Sequence, residues 1–194
     1  MPFTDSHAHL DDARFDADRD DVLARARQAG LDRILAIGNG KERSGFDKTL
    51  ALVQEADFLW AALGVHPHDA AHASDELLDH LDTLMDSPRV LAWGEVGLDY
   101  HYDHSPRDVQ QRVFRQQLAR ARRRRKPVII HCRDAWEDCL RILREEWAPS
   151  GLGGILHCFS GTAEVARQGI EWGFLLSFAG NVTFPRAENL RQVA

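Results

Sequence analysis

The chain has 194 residues, 44% of them hydrophobic, which allows one ordinary hydrophobic core. Its formal net charge of -6 argues against a protein that coats duplex nucleic acid, because such binding draws on many phosphate contacts, but allows an enzyme that contacts one phosphate through a metal. No stretch reaches the roughly 18 apolar residues of a membrane span, and three cysteines without a C-x-x-C spacing favour a reducing, cytoplasmic environment over a disulfide framework.

The first predicted element is a short strand near residues 3–7 that ends in two histidines. His7 and His9 stand two residues apart, so both imidazoles point to the same face of the strand. Two such histidines at a strand end can bind one divalent cation. Taken alone, such a pair more often has a surface or packing role, so the choice depends on other ligands further along the chain.

Amphipathic segments alternate with short β-branched or leucine-rich runs, a pattern typical of a parallel sheet with connecting helices. Asp11 or Asp12 is expected to begin a helix that Gly30 stops. Ser74 is expected to cap another helix, and Pro106 to open a long one. Strands are predicted near residues 3–7, 33–37, 59–64, 90–94, 127–131, 154–157 and 174–178. The absence of any linker or composition break favours one domain of repeated βα units over residues 1–194.

Five of these strands end in chemically reactive residues. In a (β/α)₈ barrel the carboxyl ends of the strands share one rim, where active sites sit. Side chains far apart in sequence would therefore converge on one cavity: His7, His9, Glu95, His131 and His157. Four histidines and a carboxylate supply most of a two-metal centre in which the carboxylate is the bridge.

The segments around these residues resemble the TatD family of metal-dependent deoxyribonucleases, within the wider amidohydrolase-like barrels. The motifs D-S-H-A-H-L, G-V-H-P-H, G-E-V-G-L-D-Y, I-H-C-R-D and H-C-F-S-G occur in the family's order and at its strand ends. The resemblance implies an α/β fold of the TIM (β/α)₈ type. It also implies one metal held by His7, His9 and Glu95, and a second held by Glu95, His131 and His157.

The chain departs from that family pattern after its last predicted strand. The family completes the shell of its first metal with an aspartate in a Thr-Asp segment, and none follows the seventh strand here. Only about seven βα units can be placed, whereas such barrels need about 250 residues. We therefore expect a C-terminally incomplete barrel, weakened binding of the first metal, impaired or absent turnover, and an open strand edge through which copies could self-associate.

The activity implied by the resemblance is hydrolysis of a DNA phosphodiester near a strand end, of the 3'-5' exonuclease type, with two divalent ions such as Zn, Mg or Mn and with Glu95 as the catalytic bridge. Arg133 has the planar fork that suits a phosphate, or else pairs with an acid such as Asp134. His66 and His68 are expected to contact substrate, because the proline between them suggests a turn. Asp99 would orient a ligand or a water, or cap a helix.

Two alternatives stay open. One is a non-nuclease amidohydrolase or esterase acting on a small substrate. Such barrels often bridge their metals with a carbamylated lysine, but neither Lys41, Lys48 nor Lys126 stands at the bridge position, and Glu95 does. The other alternative is a catalytically inert remnant that binds a metal or a partner chain.

Overall fold

The computed structural model describes residues 3–194. Over these residues seven parallel strands pair in chain order into one curled sheet, and helices alternate with them, which confirms the predicted barrel-type α/β fold. The strands are β1 (Phe3–Ala8), β2 (Leu31–Asn39), β3 (Leu59–Gly64), β4 (Val90–Asp99), β5 (Val128–Arg133), β6 (Gly154–Leu156) and β7 (Phe174–Leu176). The α-helices are α1 (Arg19–Gln28), α2 (Arg43–Glu55), α3 (Asp75–Leu84), α4 (Arg107–Arg124), α5 (Trp136–Glu146), α6 (Ala163–Glu171) and α7 (Glu188–Val193).

The helix starts follow the sequence prediction in two cases out of three. Ser74 caps α3 by accepting a hydrogen bond from the Leu77 N–H at 3.2 Å, and Pro106 immediately precedes α4. The predicted start of the first helix is wrong. Asp12 caps only a short 3₁₀ turn, and α1 begins later, at Arg19, because the intervening residues form separate tight turns in which the Asp16 N–H donates to the Ala13 carbonyl and the Asp18 N–H to the Phe15 carbonyl.

The main core lies between the sheet and the helices, and alternation along the strands decides which side chains join it. Ala36 and Ile130 belong to this core, whereas their neighbours Ile37 and Ile129 form part of a small cluster on the inner face of the curled sheet. Because side chains alternate along a strand, His131, two residues after Ile129, also points to the inner face. The fold thus directs the strand-end side chains into the barrel interior.

Buried glutamines of α4 fix the strand ends that carry the polar residues. Gln117 accepts from the Val65 N–H at 2.8 Å and donates to the Val65 carbonyl at 3.0 Å, directly after β3. Gln110 accepts from the Asp99 N–H at 2.8 Å and donates to the Asp99 carbonyl at 3.0 Å, at the end of β4. Both strand ends are therefore held to the same helix.

Among the helices of residues 3–194, none combines the length and the apolar character needed to cross a membrane.

Candidate metal centre

The structure collects possible metal ligands into two groups at the carboxyl ends of the strands. The first ligand group is His7, His9 and Glu95, and the second ligand group is His66, His68 and His131. Within each group the ligand atoms lie within 4.8 Å of one another. These six residues come from four different strands or from the turns after them, in agreement with the convergence that the barrel argument predicts.

Glu95 links the two groups. One of its carboxylate oxygens lies 3.0 Å from His131 Nδ1, and the other lies 3.4 Å from His7 Nε2. The residue is only 3% exposed. Burial disfavours its charge, but the hydrogen bonds from His131 and His7 outweigh burial and hold the pKa of Glu95 well below its usual value. Glu95 is therefore an anion with one oxygen directed towards each group, as a bridging carboxylate requires.

Asp99 contacts two members of the second ligand group, His68 and His131. One oxygen accepts hydrogen bonds from His68 Nε2 and from His131 Nε2, each at 2.9 Å. Burial again opposes the charge, but the Tyr102 N–H and the two imidazoles outweigh it and lower the pKa of Asp99. Because Asp99 contacts both rings, it fixes their orientation.

His131 donates to a carboxylate through each ring nitrogen, to Glu95 through Nδ1 and to Asp99 through Nε2. Burial alone would lower the pKa of His131, but the bonds and the charge of Glu95 and Asp99 raise it above its usual value. The imidazolium form of His131 thus balances two buried negative charges, those of Glu95 and Asp99. A bound cation would balance these charges in its place.

His157 lies against the first ligand group. Its ring stacks on that of His7, with centroids 3.3 Å apart and planes 11° from parallel. Burial and the neighbouring His7 lower the pKa of His157 to about 4. At neutral pH this imidazole is uncharged, the form that binds a metal.

His66 offers a hydrogen-bond donor rather than a free lone pair. Its Nδ1 accepts from the His68 backbone N–H at 3.2 Å. Burial lowers the pKa of His66 to about 3, so the ring is neutral and its one proton resides on Nε2. An N–H in that position suits a phosphate oxygen, which agrees with the predicted substrate contact for His66.

The residues of the first ligand group fit a divalent cation. His7 Nε2 and His9 Nε2 lie 3.2 Å apart. Two nitrogens at the usual distance from a tetrahedral zinc ion would be separated by about 3.3 Å. Within residues 3–194, the buried Nδ1 atoms of His7 and His157 have no hydrogen-bond partner. Imidazoles and a carboxylate are the donors that Zn, Mn and related metals accept.

Two clefts open onto these groups. The first cleft, of about 750 Å³, is lined by residues that include Lys41, His66, His68, Glu95 and His104. The second cleft, of about 420 Å³, is lined by residues that include His101, His131, Arg133, His157 and Phe184.

Arg133 is exposed in the second cleft, where its guanidinium carbon lies 5.0 Å from the centroid of the Tyr102 ring. Asp134, which the sequence offered as one ion-pair partner for Arg133, lies 3.0 Å from His101 instead, and among the described residues no acid lies within ion-pair distance of Arg133. The Arg133 guanidinium is thus available to a ligand in the second cleft.

The three lysines do not occupy the bridge position. Lys48 donates to the Asp11 carbonyl and Lys126 to the Val90 carbonyl, each at 2.6 Å. Lys41 lies 3.6 Å from Asp69 at the edge of the first cleft. Glu95, and not a lysine, lies between the two ligand groups.

Sequence reasoning missed several residues of the site. Asn39 accepts from the Glu95 N–H at 3.3 Å, and Lys41 and His104 line the first cleft. Asn39 was missed because the second strand was predicted to end at residue 37, whereas β2 continues to Asn39. The criterion that found the histidines, a polar residue at a strand end, would have found it with the correct boundary.

Similar proteins agree with this description. The chain is 44% identical over 189 residues to the metal-dependent hydrolase YabD of Bacillus subtilis, covering 97% of this chain and 73% of that protein. It is 38% identical over 172 residues to the 3'-5' ssDNA/RNA exonuclease TatD of Cronobacter turicensis, covering 89% of this chain. The chain spans 64% of the length of that exonuclease.

Solved structures show the same architecture. The Escherichia coli TatD homologue YjjV superposes with a TM-score of 0.89 at 33% identity, over 98% of this chain and 73% of that one. A TatD-family hydrolase from Entamoeba histolytica gives a TM-score of 0.85 at 27% identity, over 100% of this chain and 69% of that one. The model of TatD-related DNases matches residues 4–194. The chain therefore belongs to the TatD-related DNase family.

Proposed function

We propose that this protein hydrolyses phosphodiester bonds at the end of a DNA strand, as a 3'-5' exonuclease with two divalent cations. The observation that carries the proposal is the geometry of Glu95, which directs one oxygen towards His7 and the other towards His131. The family and the exonucleases among its relatives support the reaction class.

In this proposal His7, His9 and Glu95 hold one cation, and Glu95, His131 and His157 hold the other. His157 is preferred to His66 as the third imidazole, because His66 Nδ1 already accepts a backbone hydrogen bond. Two cations held by these residues would supply Lewis-acid chemistry, activating water for attack and offsetting the charge of the phosphate. Zn, Mn and Mg are the candidate metals.

The remaining residues bind and orient the substrate. Arg133 offers two parallel N–H donors to a phosphate at the mouth of the second cleft. His66 presents its Nε2–H to the first cleft, and Asp99 keeps His68 and His131 in fixed orientations. Glu95, as a buried anion, keeps the two cation sites at a constant separation.

The test is hydrolysis of an end-labelled single-stranded oligonucleotide with Mg²⁺, Mn²⁺ or Zn²⁺, beside hydrolysis of a simple carboxyl ester. We expect nucleotides to be released one at a time from the 3' end, and Glu95→Gln to abolish their release. Ester hydrolysis without DNA cleavage would instead support the small-substrate amidohydrolase. A chain that binds metal and hydrolyses neither substrate would support the inert remnant.

We also propose a cytoplasmic location, supported by free thiols at Cys132, Cys139 and Cys158. Cys132 and Cys139 are both buried as free thiols. A reducing compartment keeps such a pair in the thiol form.

Self-association through the end strands of the sheet is a further part of the proposal. Phe3 on β1 and Leu175 on β7 are 65% and 68% exposed. Burying such side chains against a second copy would remove apolar surface from water.

A further inference from the structure

An aromatic side chain stands exposed beside the metal centre without a role in it. Tyr102, in the loop between β4 and α4, is 51% exposed. Its ring lies nearly parallel to that of His104, with centroids 5.6 Å apart and planes within 8°. The Arg133 guanidinium carbon lies 5.0 Å from the Tyr102 centroid. We call Tyr102, His104 and Arg133 the aromatic shelf.

The loop that carries Tyr102 is held at both ends. At its start, one oxygen of Asp99 accepts from the N–H groups of His101 and Tyr102, at 3.0 and 2.9 Å. At its end, the buried Ser105 hydroxyl donates to the His68 carbonyl at 2.9 Å. These bonds hold the backbone from which the Tyr102 ring projects. A rigid aromatic ring offers contact area at a low cost in conformational entropy.

The aromatic shelf lies between the two clefts. His104 lines the first cleft together with His66 and Glu95, and Arg133 lines the second cleft together with His131. Tyr102 contacts both His104 and Arg133. A strand with its phosphate at the ligand groups would thus pass the shelf on its way out of either cleft.

Resting on the nuclease function proposed above, we infer that the aromatic shelf stacks a base of an unpaired substrate strand beside the phosphate to be cleaved. Every nucleobase has an apolar π-face, so stacking on Tyr102 and His104 is independent of sequence, and a guanidinium plane adds to it. A protein with a net charge of -6 gains little from the phosphate backbone as a whole. Bases within a duplex are already stacked on their neighbours, so the shelf selects single strands.

The test compares oligonucleotides that differ by one base. A single abasic residue is moved inward, one position at a time, from the end that is cleaved first, and KM and kcat are measured for the parent, Tyr102→Ala and Tyr102→Phe. Loss of the ring is expected to raise KM for the intact strand about 5- to 100-fold, the range of base–aromatic stacking. Tyr102→Phe, which keeps the ring, should stay close to the parent, and one abasic position should remove the difference between Tyr102→Ala and the parent.

Ile170→Ala is the matched control, because Ile170 is 59% exposed but lies near the end of α6 that precedes β7, away from the strand carboxyl ends. An unchanged KM in Tyr102→Ala, or a rise that persists at every abasic position, would overturn the inference.

A second readout separates this inference from the nuclease proposal. Binding of an oligonucleotide that carries 2-aminopurine and an uncleavable terminal methylphosphonate linkage is followed by fluorescence. Quenching in the parent and in Tyr102→Phe, but not in Tyr102→Ala, supports stacking even if no substrate is cleaved. Equal quenching in all three proteins would overturn stacking even if cleavage is normal.

Discussion

Two buried carboxylates of the metal centre have different tasks that follow from their contacts. Glu95 directs its oxygens to His7 and His131, which belong to different ligand groups, and so forms the link between them. Asp99 uses one oxygen for His68 and His131 and the other for backbone N–H groups. Asp99 therefore has little capacity left for a metal or substrate, and we assign it to positioning the two imidazoles.

His157 and His66 provide the sharpest test of the ligand assignment. We predict that His157→Ala loses one of two bound ions, because it removes a neutral imidazole from the second cation. His66→Ala should keep both ions and instead raise KM, because it removes a donor to the phosphate. Metal content by elemental analysis and steady-state kinetics check the two expectations.

The reverse result, a lost ion in His66→Ala and full metal content in His157→Ala, would assign the second cation to His66, His68 and His131. His72→Ala, which changes another residue lining the first cleft, is the control for general disturbance of that cleft.

The depressed pKa of His66 predicts a pH dependence of stability in the metal-free protein. The folded state holds His66 neutral down to a pKa of about 3, whereas the unfolded chain binds the proton near the ordinary value of 6.5. The contribution of His66 to the free energy of unfolding is complete above pH 6.5 and is lost as the pH falls towards 3. His66→Gln should therefore lose less stability than the parent over this interval. Urea unfolding of both proteins at several pH values measures the difference, and parallel curves would contradict it.

At the residue scale, the sequence was most informative at the carboxyl-terminal part of a strand, where the histidines lie. His7, His9 and His131 could be predicted to face one site, because alternation and the shared rim of a barrel determine their positions, and Glu95 could be predicted there from the shared rim alone. Tyr102 could not be predicted in this way. Its place depends on how the end of the loop is tied through the Ser105 hydroxyl to the His68 carbonyl, a long-range contact without a sequence motif.

Helix α4, on the outside of the sheet, holds the ends of β3 and β4 in place through hydrogen bonds. Gln117 satisfies both backbone groups of Val65 and also accepts from the Trp93 indole N–H at 3.1 Å. Gln110 likewise accepts from the N–H and donates to the carbonyl of Asp99. Buried amides in a helix otherwise packed through apolar residues thus connect β3 and β4 to one support.

Removal of one of these amides should be costly. Gln117→Ala leaves the N–H and carbonyl of Val65 and the Trp93 indole buried without partners, at about 1–3 kcal/mol for each unsatisfied group. We predict a large fall in the free energy of unfolding by urea, together with a higher KM, since His66 follows Val65 directly.

The neighbouring Gln116→Ala is the matched control, because the Gln116 side-chain oxygen has no hydrogen-bond partner within residues 3–194. If both substitutions lowered the free energy of unfolding equally, the support assigned to Gln117 would be incorrect.

Element boundaries were harder to predict than element types. The fourth strand was predicted to end at residue 94, but β4 continues to Asp99. Its pairing with β5 shifts register between Trp93 and Val96, so simple alternation does not hold around Glu95. The hydrogen bonds of Gln110 to the end of β4 come from a helix that follows in sequence, and no local pattern reports them.

At the scale of the whole molecule, parallel strands in sequential order bring residues from both ends of the chain to one rim. β1 and β7 are the end strands of the sheet formed by residues 3–194, and each exposes a large apolar side chain. We predict a dimer in light scattering coupled to sizing chromatography, and a shift towards monomer in Leu175→Lys. A monomeric parent would contradict self-association, and Ile170→Lys on α6 is the exposed apolar control.

The bridge formed by Glu95 is the central claim, and metal content per chain tests it most directly. The protein is equilibrated with Zn²⁺ or Mn²⁺, freed of excess metal and analysed beside Glu95→Ala and beside Glu137→Ala, which changes an exposed carboxylate on α5. We predict two ions per chain in the parent and in Glu137→Ala, and loss of both ions together in a folded Glu95→Ala. A single ion in the parent, or two ions retained in Glu95→Ala, would contradict a carboxylate-bridged centre.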